Sequence, residues 1–285
     1  MQSIANKIFI EDSFPGVTLG AISTPRGLIQ IDAPPSPDDS RTWRASLMNV
    51  GAGPDRLLIN IDSHPDRTLG ARAMDCTVIA HEKTTHAFRN RPTTFKAQGD
   101  ETGANWESIP GLGSVRWAPP EISFTHDMFL YWYENPIHLE HRPGPAAGAL
   151  WVILPVEKIV FVGDLVLKNQ PPFLANANLP HWIDSLKTLM SSDFKSFTIV
   201  SGRAGTVNMQ AVKTQLDIIK HLHERLEKLA ARNASPESTE KLVDHLVSNY
   251  KAPAARQKHF AQRLRYGLRH YYVRHYHPVN GADDE

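Results

Sequence analysis

The chain has 285 residues, of which 41% are hydrophobic and 21% are charged, a composition typical of a globular protein with a sizeable core. The 31 Lys and Arg residues nearly balance the 30 Asp and Glu residues, so the formal charge of +1 gives no overall field that favours nucleic acid. The single cysteine, Cys76, excludes an internal disulfide and a zinc site of clustered cysteines. No apolar run approaches the ~20 residues of a membrane span, and no signal-peptide pattern is present. We therefore expect a cytoplasmic protein without a membrane partner.

Strands and helices alternate through the first third of the chain. Three strand patterns separated by Pro and Gly turns occupy residues 7–32. Acidic residues 38 and 39, with Trp43 and Leu47 on one face, predict a helix. An apolar strand over 57–61, a short helical piece ending at Met74 and a buried strand over 77–80 follow.

Residues 90–120 are polar, rich in Gly and Pro, and without a clear period. Two interpretations stay open for this long loop, a wall or lid of a binding site and a disordered excursion. The nearby aromatic residues either line an apolar pocket or belong to the core. These residues are Trp106, Trp117, Tyr131, Trp132 and Tyr133.

The second half again begins with strands and ends in helices. Strand patterns cover 122–124, 128–133, 137–141, 148–155 and 159–164, and a last strand covers 197–200 after a helix over 179–190. From residue 208 onward the chain has helical periodicity. We predict a layered α/β domain over 1–225 and a helical, basic C-terminal extension over 226–285.

One segment joins a buried strand directly to ionisable residues. Asp62, His64 and Asp66 follow the strand over 57–61 at alternate positions, and an extended backbone would direct all three to one side. Ends of buried strands are common places for functional sites. Such a trio is suited to ligating a metal, to relaying protons, or to forming a structural polar network.

The order of these patterns resembles the metallo-β-lactamase fold, an αββα sandwich, over about residues 7–225. The resemblance rests on six segments, at 27–32, 57–70, 78–82, 143–148, 160–164 and 201–203. It implies the chemistry of that family, whose hydrolases hold two zinc or iron ions that polarise water. The ligands of these ions come from four motifs: H-x-H-x-D-H, a P-G-H-x-x-G turn, an aspartate in F-x-G-D, and a late G-H turn.

The chain departs from that metal-binding pattern at four of its seven positions. His64, Asp66 and Asp164 match it. The other positions carry Asp62, Arg67, Pro145 and Arg203 where the pattern has histidine. Arginine stays protonated and cannot ligate a cation, and proline at 145 removes a third ligand from the first metal site.

We therefore hypothesise that Arg67 and Arg203 replace the metal charge by pairing with Asp66 and Asp164. This predicts a divergent binding or scaffold protein, or a pseudoenzyme, without a resident cofactor. The alternative is a metal-dependent hydrolase with zinc or iron in a rearranged site, in which His64 and Asp66 are catalytic. Its ligands would be Asp62, His64, Asp66, Asp164 and His141.

The C-terminal segment 251–280 carries seven Lys or Arg residues, four histidines, and no acidic residue. Phe260, Leu264 and Leu268 share one helical face, while tyrosines alternate with arginines. This favours a helix docked on its own domain or on a second copy in a homo-oligomer, with nucleic-acid binding as the weaker alternative. The ligand itself, a small molecule or a protein partner, is not specified by the sequence.

Overall fold

The computed structural model describes residues 1–96 and 102–277, in which two β-sheets pack face to face between outer layers of helices. The first sheet runs in chain order, antiparallel through β4 and parallel from β4 to β7. Its strands are β1 (Gln2–Ala5), β2 (Ile8–Glu11), β3 (Leu19–Ser23), β4 (Gly27–Ile31), β5 (Asp55–Ile59), β6 (Thr77–His81) and β7 (Ile122–Phe124). Strands β2 to β6 correspond to the strand patterns predicted for the first part of the chain, whereas β1 was not predicted.

The second sheet has the order β13-β12-β11-β10-β9-β8, with only β11 and β12 parallel to each other. Its strands are β8 (Asp127–Leu130), β9 (Ile137–His141), β10 (Leu150–Leu154), β11 (Ile159–Phe161), β12 (Thr198–Ser201) and β13 (Gly205–Val207). The prediction that 197–200 holds the last strand is wrong. Gly205, at φ 62°, turns the chain back so that β13 pairs with β12.

Seven α-helices of the described residues cover the outer faces of the two sheets. They are α1 (Pro37–Ser46), α2 (Pro65–Thr68), α3 (Glu82–Arg89), α4 (Leu179–Leu189), α5 (Met209–Ala230), α6 (Glu240–Val247) and α7 (Ala254–Tyr276). The layering confirms the predicted αββα sandwich. In this part of the chain, no helix combines the length and the apolar character that crossing a membrane requires.

Strand alternation explains why the layers form. In β10, Leu150 and Val152 face the core between the sheets, whereas Trp151 and Ile153 face the helices. In β5, Leu57 and Ile59 face the inter-sheet core and the residue between them faces α1. Because both faces are buried, β10 and residues 57–59 of β5 are continuously apolar.

The C-terminal helices share the core of the second sheet. Leu246 of α6 and Leu264, Leu268 and Tyr271 of α7 belong to the same buried cluster as Trp182 of α4. The boundary drawn at residue 225 falls inside α5, and the division into two domains stays a prediction. Docking of α7 on its own domain agrees with the predicted apolar face of this helix.

The segment after α3 packs as a wall. Short 3₁₀ turns at Asn105–Ser108 and Leu112–Ser114 fold back, and Phe88, Phe95, Trp106 and Trp117 form one aromatic cluster. The described parts of 90–120 thus follow the first of the two interpretations, a packed wall, and residues 97–101 lie outside the described residues.

Candidate functional site

The ends of four strands bring three predicted ionisable residues together with Asp32, which was not predicted for the site. Asp32 follows β4, Asp62 follows β5, Asp164 follows β11, and Arg203 lies in the turn between β12 and β13. The backbone N–H of Ile61 donates to Asp32 Oδ1 at 2.9 Å, which ties the first two strand ends to each other. The carboxyl ends of neighbouring strands therefore form one charged cluster.

The turn after β5 reaches this cluster in a different way from the predicted extended backbone. The His64 imidazole caps α2, with its Nδ1 3.4 Å from the backbone N of Asp66, and Pro65 is the first helical residue. Asp62 Oδ1 accepts from the His64 backbone N–H at 2.8 Å. The alternating geometry is thus wrong, because the chain becomes helical at 65, yet the side chains still converge.

Arg67 is fully buried at the centre of three carboxylates. Its Nη1 lies 3.3 Å from Asp32 Oδ2, its Nε lies 3.3 Å from Asp62 Oδ1, and its Nη2 donates to Asp164 Oδ1. The hypothesis paired the two arginines with Asp66 and Asp164. Arg67 instead contacts Asp164 and two carboxylates not assigned to it, because α2 directs its side chain beneath the turn.

Arg203 lies at the centre of the three residues that match the metal-binding pattern. Its Nε donates to Asp164 Oδ1 and Oδ2 at 2.9 and 3.0 Å, and its Nη1 donates to Asp66 Oδ2 at 2.5 Å. Its Nη2 lies 3.0 Å from His64 Nδ1, and its Nη1 also donates to the carbonyl of Gly16 at 2.9 Å. One guanidinium therefore uses the polar groups that a metal would need.

Four buried carboxyl groups meet only two guanidinium groups in this cluster, and their pKa values diverge accordingly. Burial would raise the pKa of Asp164, but Arg203 and Arg67 hold it well below its usual range. Burial raises the pKa of Asp32 to about 7 and also raises the pKa of Asp62, against the attraction of Arg67. The raised pKa values thus belong to the two carboxyl groups that Arg203 does not contact.

The tautomer of His64 follows from its neighbour. A guanidinium only donates hydrogen bonds, so the 3.0 Å contact with Arg203 Nη2 requires a lone pair on His64 Nδ1. The proton of the neutral ring then resides on Nε2. Burial, followed by the charge of Arg203, keeps the pKa of His64 well below its usual value. The ring therefore offers a donor, and its Nδ1 lone pair is already occupied.

The donor set does not fit a dinuclear metal centre. Pro145 supplies no ligand, and cationic Arg203 lies within hydrogen-bond distance of His64, Asp66 and Asp164. Within residues 1–96 and 102–277, no group of three or more His, Cys, Asp or Glu side chains is arranged to hold an ion.

His141 does not join the cluster. Its ring stacks on His81 with 3.6 Å between centroids, and its Nε2 lies 2.8 Å from the carbonyl of Ala147. It is absent from the described lining of the cavity beside the cluster. The rearranged five-ligand site is therefore not assembled in this arrangement, because β9 directs His141 toward α3.

A cavity of about 190 Å³ opens beside the cluster. Asp62, His64 and Asp164 line one part, and the rest is lined by apolar residues, by neutral polar residues and by two further arginines. These other residues include Arg91, Trp106, Pro145, Phe173, Leu174 and Arg263. The cavity thus combines a charged floor with an apolar, partly aromatic wall.

Of the five aromatic residues for which a pocket lining and a core position were both open, most do not line this cavity. Trp106 lines the cavity, but Trp117 packs behind it against Phe88 and Phe95. Trp132 and Tyr133 contact the inter-sheet core, and Tyr131, which lies beyond the end of β8, is 76% exposed. These aromatic residues are close in the sequence, but they face different layers of the fold.

Four residues of the site were not singled out for it from the sequence. Asp32, Arg91, Phe173 and Arg263 all contact the cluster or line the cavity. One signal was available for Arg263, because it lies on the apolar face of α7 between Phe260 and the following leucine, and charged residues are rarely buried without a role.

The basic face of α7 is largely solvated. Arg265 and Arg269 are exposed and pair with Glu240 and Glu237, while Tyr271 and Tyr272 are buried and not available for stacking. Residues 278–280 of the predicted basic segment lie outside the described residues. A homo-oligomer or a nucleic-acid partner on this face stays a prediction.

Comparison with known proteins identifies the architecture. No family model and no curated protein matches the sequence. A metallo-β-lactamase from Pontibacter korlensis matches with a TM-score of 0.60 and 18% identity, over 77% of this chain and 97% of that chain. DIM-1 metallo-β-lactamase matches with a TM-score of 0.58 and 15% identity, over 77% of this chain and 96% of that chain.

A second type of match includes the C-terminal helices. The stereoselective inverting sec-alkylsulfatase Pisa1 from Pseudomonas sp. matches with a TM-score of 0.68 and 13% identity. The match covers 98% of this chain, which spans 50% of the length of that protein. At these identities the likeness concerns the fold, and on that evidence the chain has the metallo-β-lactamase fold.

Proposed function

We propose that the protein is a metal-independent binding protein, in which the guanidinium groups of Arg67 and Arg203 take the place of metal charge. The observation that carries this proposal is the position of Arg203 between His64, Asp66 and Asp164. Two buried cations compensate the carboxylates at the strand ends, as a divalent ion would. Unlike a metal ion, a guanidinium does not coordinate and polarise a water molecule.

The same contacts argue for binding rather than hydrolysis. A general base needs a free lone pair close to the reacting proton, and His64 Nδ1 is engaged by Arg203. Asp66 is also engaged, since Oδ1 accepts from the Trp106 backbone N–H at 2.8 Å and Oδ2 accepts from Arg203. His64 and Asp66 therefore have no free acceptor position for a proton of a ligand in the cavity.

Metal analysis tests this proposal directly. Protein purified without chelators is analysed for metals by mass spectrometry and then titrated with zinc in a calorimeter. We expect sub-stoichiometric metal and only weak zinc binding. A variant with His270→Gln and His277→Gln serves as the control, because these exposed histidines of the C-terminal helix are able to bind zinc at the surface. One or two tightly bound equivalents that persist in this control would contradict the proposal.

A further inference from the structure

Two arginines on the cavity wall differ from Arg67 and Arg203 in their partners. Arg91 and Arg263 both line the cavity, and neither forms a salt bridge with a carboxylate of residues 1–96 or 102–277. A buried cation is normally paired, because removing its charge from water costs several kcal/mol of hydration free energy. Two cations in a cavity wall, Arg263 buried and Arg91 half-buried, that lack a carboxylate partner among the described residues therefore indicate an anionic ligand.

Among the described residues, Arg263 donates hydrogen bonds to neutral groups only. Its Nε and Nη2 donate to the carbonyl of Gly103 at 3.0 and 2.9 Å, and its Nη1 donates to Gln170 Oε1 and the Pro171 carbonyl at 2.9 and 3.2 Å. Its guanidinium carbon lies 3.8 Å from the ring centroid of Phe173. Burial lowers the pKa of this arginine to about 9, and the charge of Arg203 adds to the effect.

These contacts leave hydrogen-bonding capacity on Arg263. A guanidinium has five N–H donors, and its four hydrogen bonds to carbonyl oxygens leave one donor on Nη2 without a partner among residues 1–96 and 102–277. The side chain is 2% exposed, so bulk water does not compensate its charge. The rigid placement by α7 and by two loops orients this cation before any ligand arrives.

Arg91 is the second such cation. Its Nη1 donates to the carbonyl of Ser63 at 3.0 Å, and its guanidinium carbon lies 4.8 Å from the centroid of Trp117. The tautomer of His64 adds a neutral donor, Nε2–H, on a residue that also lines the cavity. The carboxylates of the wall, Asp62 and Asp164, are already in contact with Arg67.

We propose that the cavity binds a small organic carboxylate with an apolar body, whose charged end contacts Arg91 and Arg263. The apolar body packs against Trp106, Phe173 and Leu174. The volume of about 190 Å³ is below the roughly 300–1,000 Å³ of sites for drug-sized ligands, which favours a small molecule. This inference rests on the proposed binding function, since a metal in the cluster would add positive charge of its own.

The test compares carboxylates with their uncharged amides by calorimetry in the presence of a chelator. Benzoate and hexanoate are titrated against benzamide and hexanamide, and acetate and sulfate test the charge without the apolar body. We expect the two longer carboxylates to bind at least tenfold more tightly than their amides, which corresponds to about 1.4 kcal/mol of binding free energy. Acetate and sulfate should bind more weakly than benzoate.

Variants assign the charge to its residues. Arg263→Gln and Arg91→Gln should each weaken carboxylate binding at least tenfold. Arg265→Gln is the matched control, because this exposed arginine lies on the same helix and pairs with Glu240. Circular dichroism checks folding, and if Arg263→Gln fails to fold, Arg91→Gln decides the question.

Two results would overturn the inference. The first is that no carboxylate of the panel binds more tightly than its amide. The second is that folded Arg91→Gln and Arg263→Gln bind benzoate as the wild type does. Because the chelator removes zinc, a failure here leaves the metal titration unaffected. A stoichiometric metal in that titration would instead remove the proposed function itself.

Discussion

Replacing Arg203 by methionine tests how much the arginine stabilises the cluster. The substitution removes two hydrogen bonds to Asp164 and one each to Asp66, His64 and Gly16, while it keeps an apolar stem of similar length. Asp164 retains Arg67, but Asp66 loses its only arginine partner among the described residues. Removing one member of a buried ion pair costs about 3–5 kcal/mol. Because Asp164 stays paired, we expect the lower end of that range.

Urea unfolding followed by circular dichroism measures this loss. The control is Arg265→Met, whose ion pair with Glu240 is about half exposed and should contribute at most about 1 kcal/mol. Adding Asp66→Asn to Arg203→Met should recover part of the loss, because the uncompensated charge disappears, and the double-mutant cycle gives the coupling free energy. A loss for Arg203→Met no larger than that of the control would refute the reasoning.

Three further predictions follow from the same geometry. With Arg67→His and Arg203→His together, zinc titration should show at most partial metal binding, and further adding Pro145→His should strengthen it. The second prediction concerns pH. Because the pKa of Asp32 is raised from 3.8 to about 7 by folding, the folded protein holds this proton more tightly than the unfolded chain does. The contribution of Asp32 to the free energy of unfolding is therefore complete below about pH 4 and is lost as the pH rises to 7. This loss is on the order of 4 kcal/mol, and Asp32→Asn should flatten that part of the urea-unfolding pH profile. Gly103→Ala should lower the thermal midpoint and expose the loop to proteolysis, because a Cβ there would lie 2.5 Å from a backbone oxygen of α7 at φ +65°.

The sequence patterns predicted the layers well because apolar alternation is a local property. The apolar run over 57–61 overlaps β5. The residues at 67, 145 and 203, which replace histidines of the metal-binding pattern, indicated an altered metal centre. Local patterns also predicted the strands of both sheets, apart from β1 and β13.

Long-range contacts explain what the sequence did not predict. Arg263 donates a hydrogen bond to Gly103, which lies 160 residues earlier in the chain. Sequence periodicity predicts which face of a helix is buried, but it does not predict which loop that face contacts. The trio of Asp62, His64 and Asp66 converged by a helix cap rather than by an extended turn, because Pro65 starts α2. His141 was expected near the site from its proximity to residue 143, but the direction of β9 decided its place.

The central claim is that a guanidinium, and not an ion, lies between Asp66 and Asp164. Crystals grown with zinc and measured at the zinc absorption edge test it most directly, since anomalous scattering locates the metal independently of the protein. The account predicts the Arg203 guanidinium in contact with both carboxylates and no anomalous peak between them. A zinc peak within bonding distance of His64, Asp66 and Asp164, with Arg203 displaced, would contradict it.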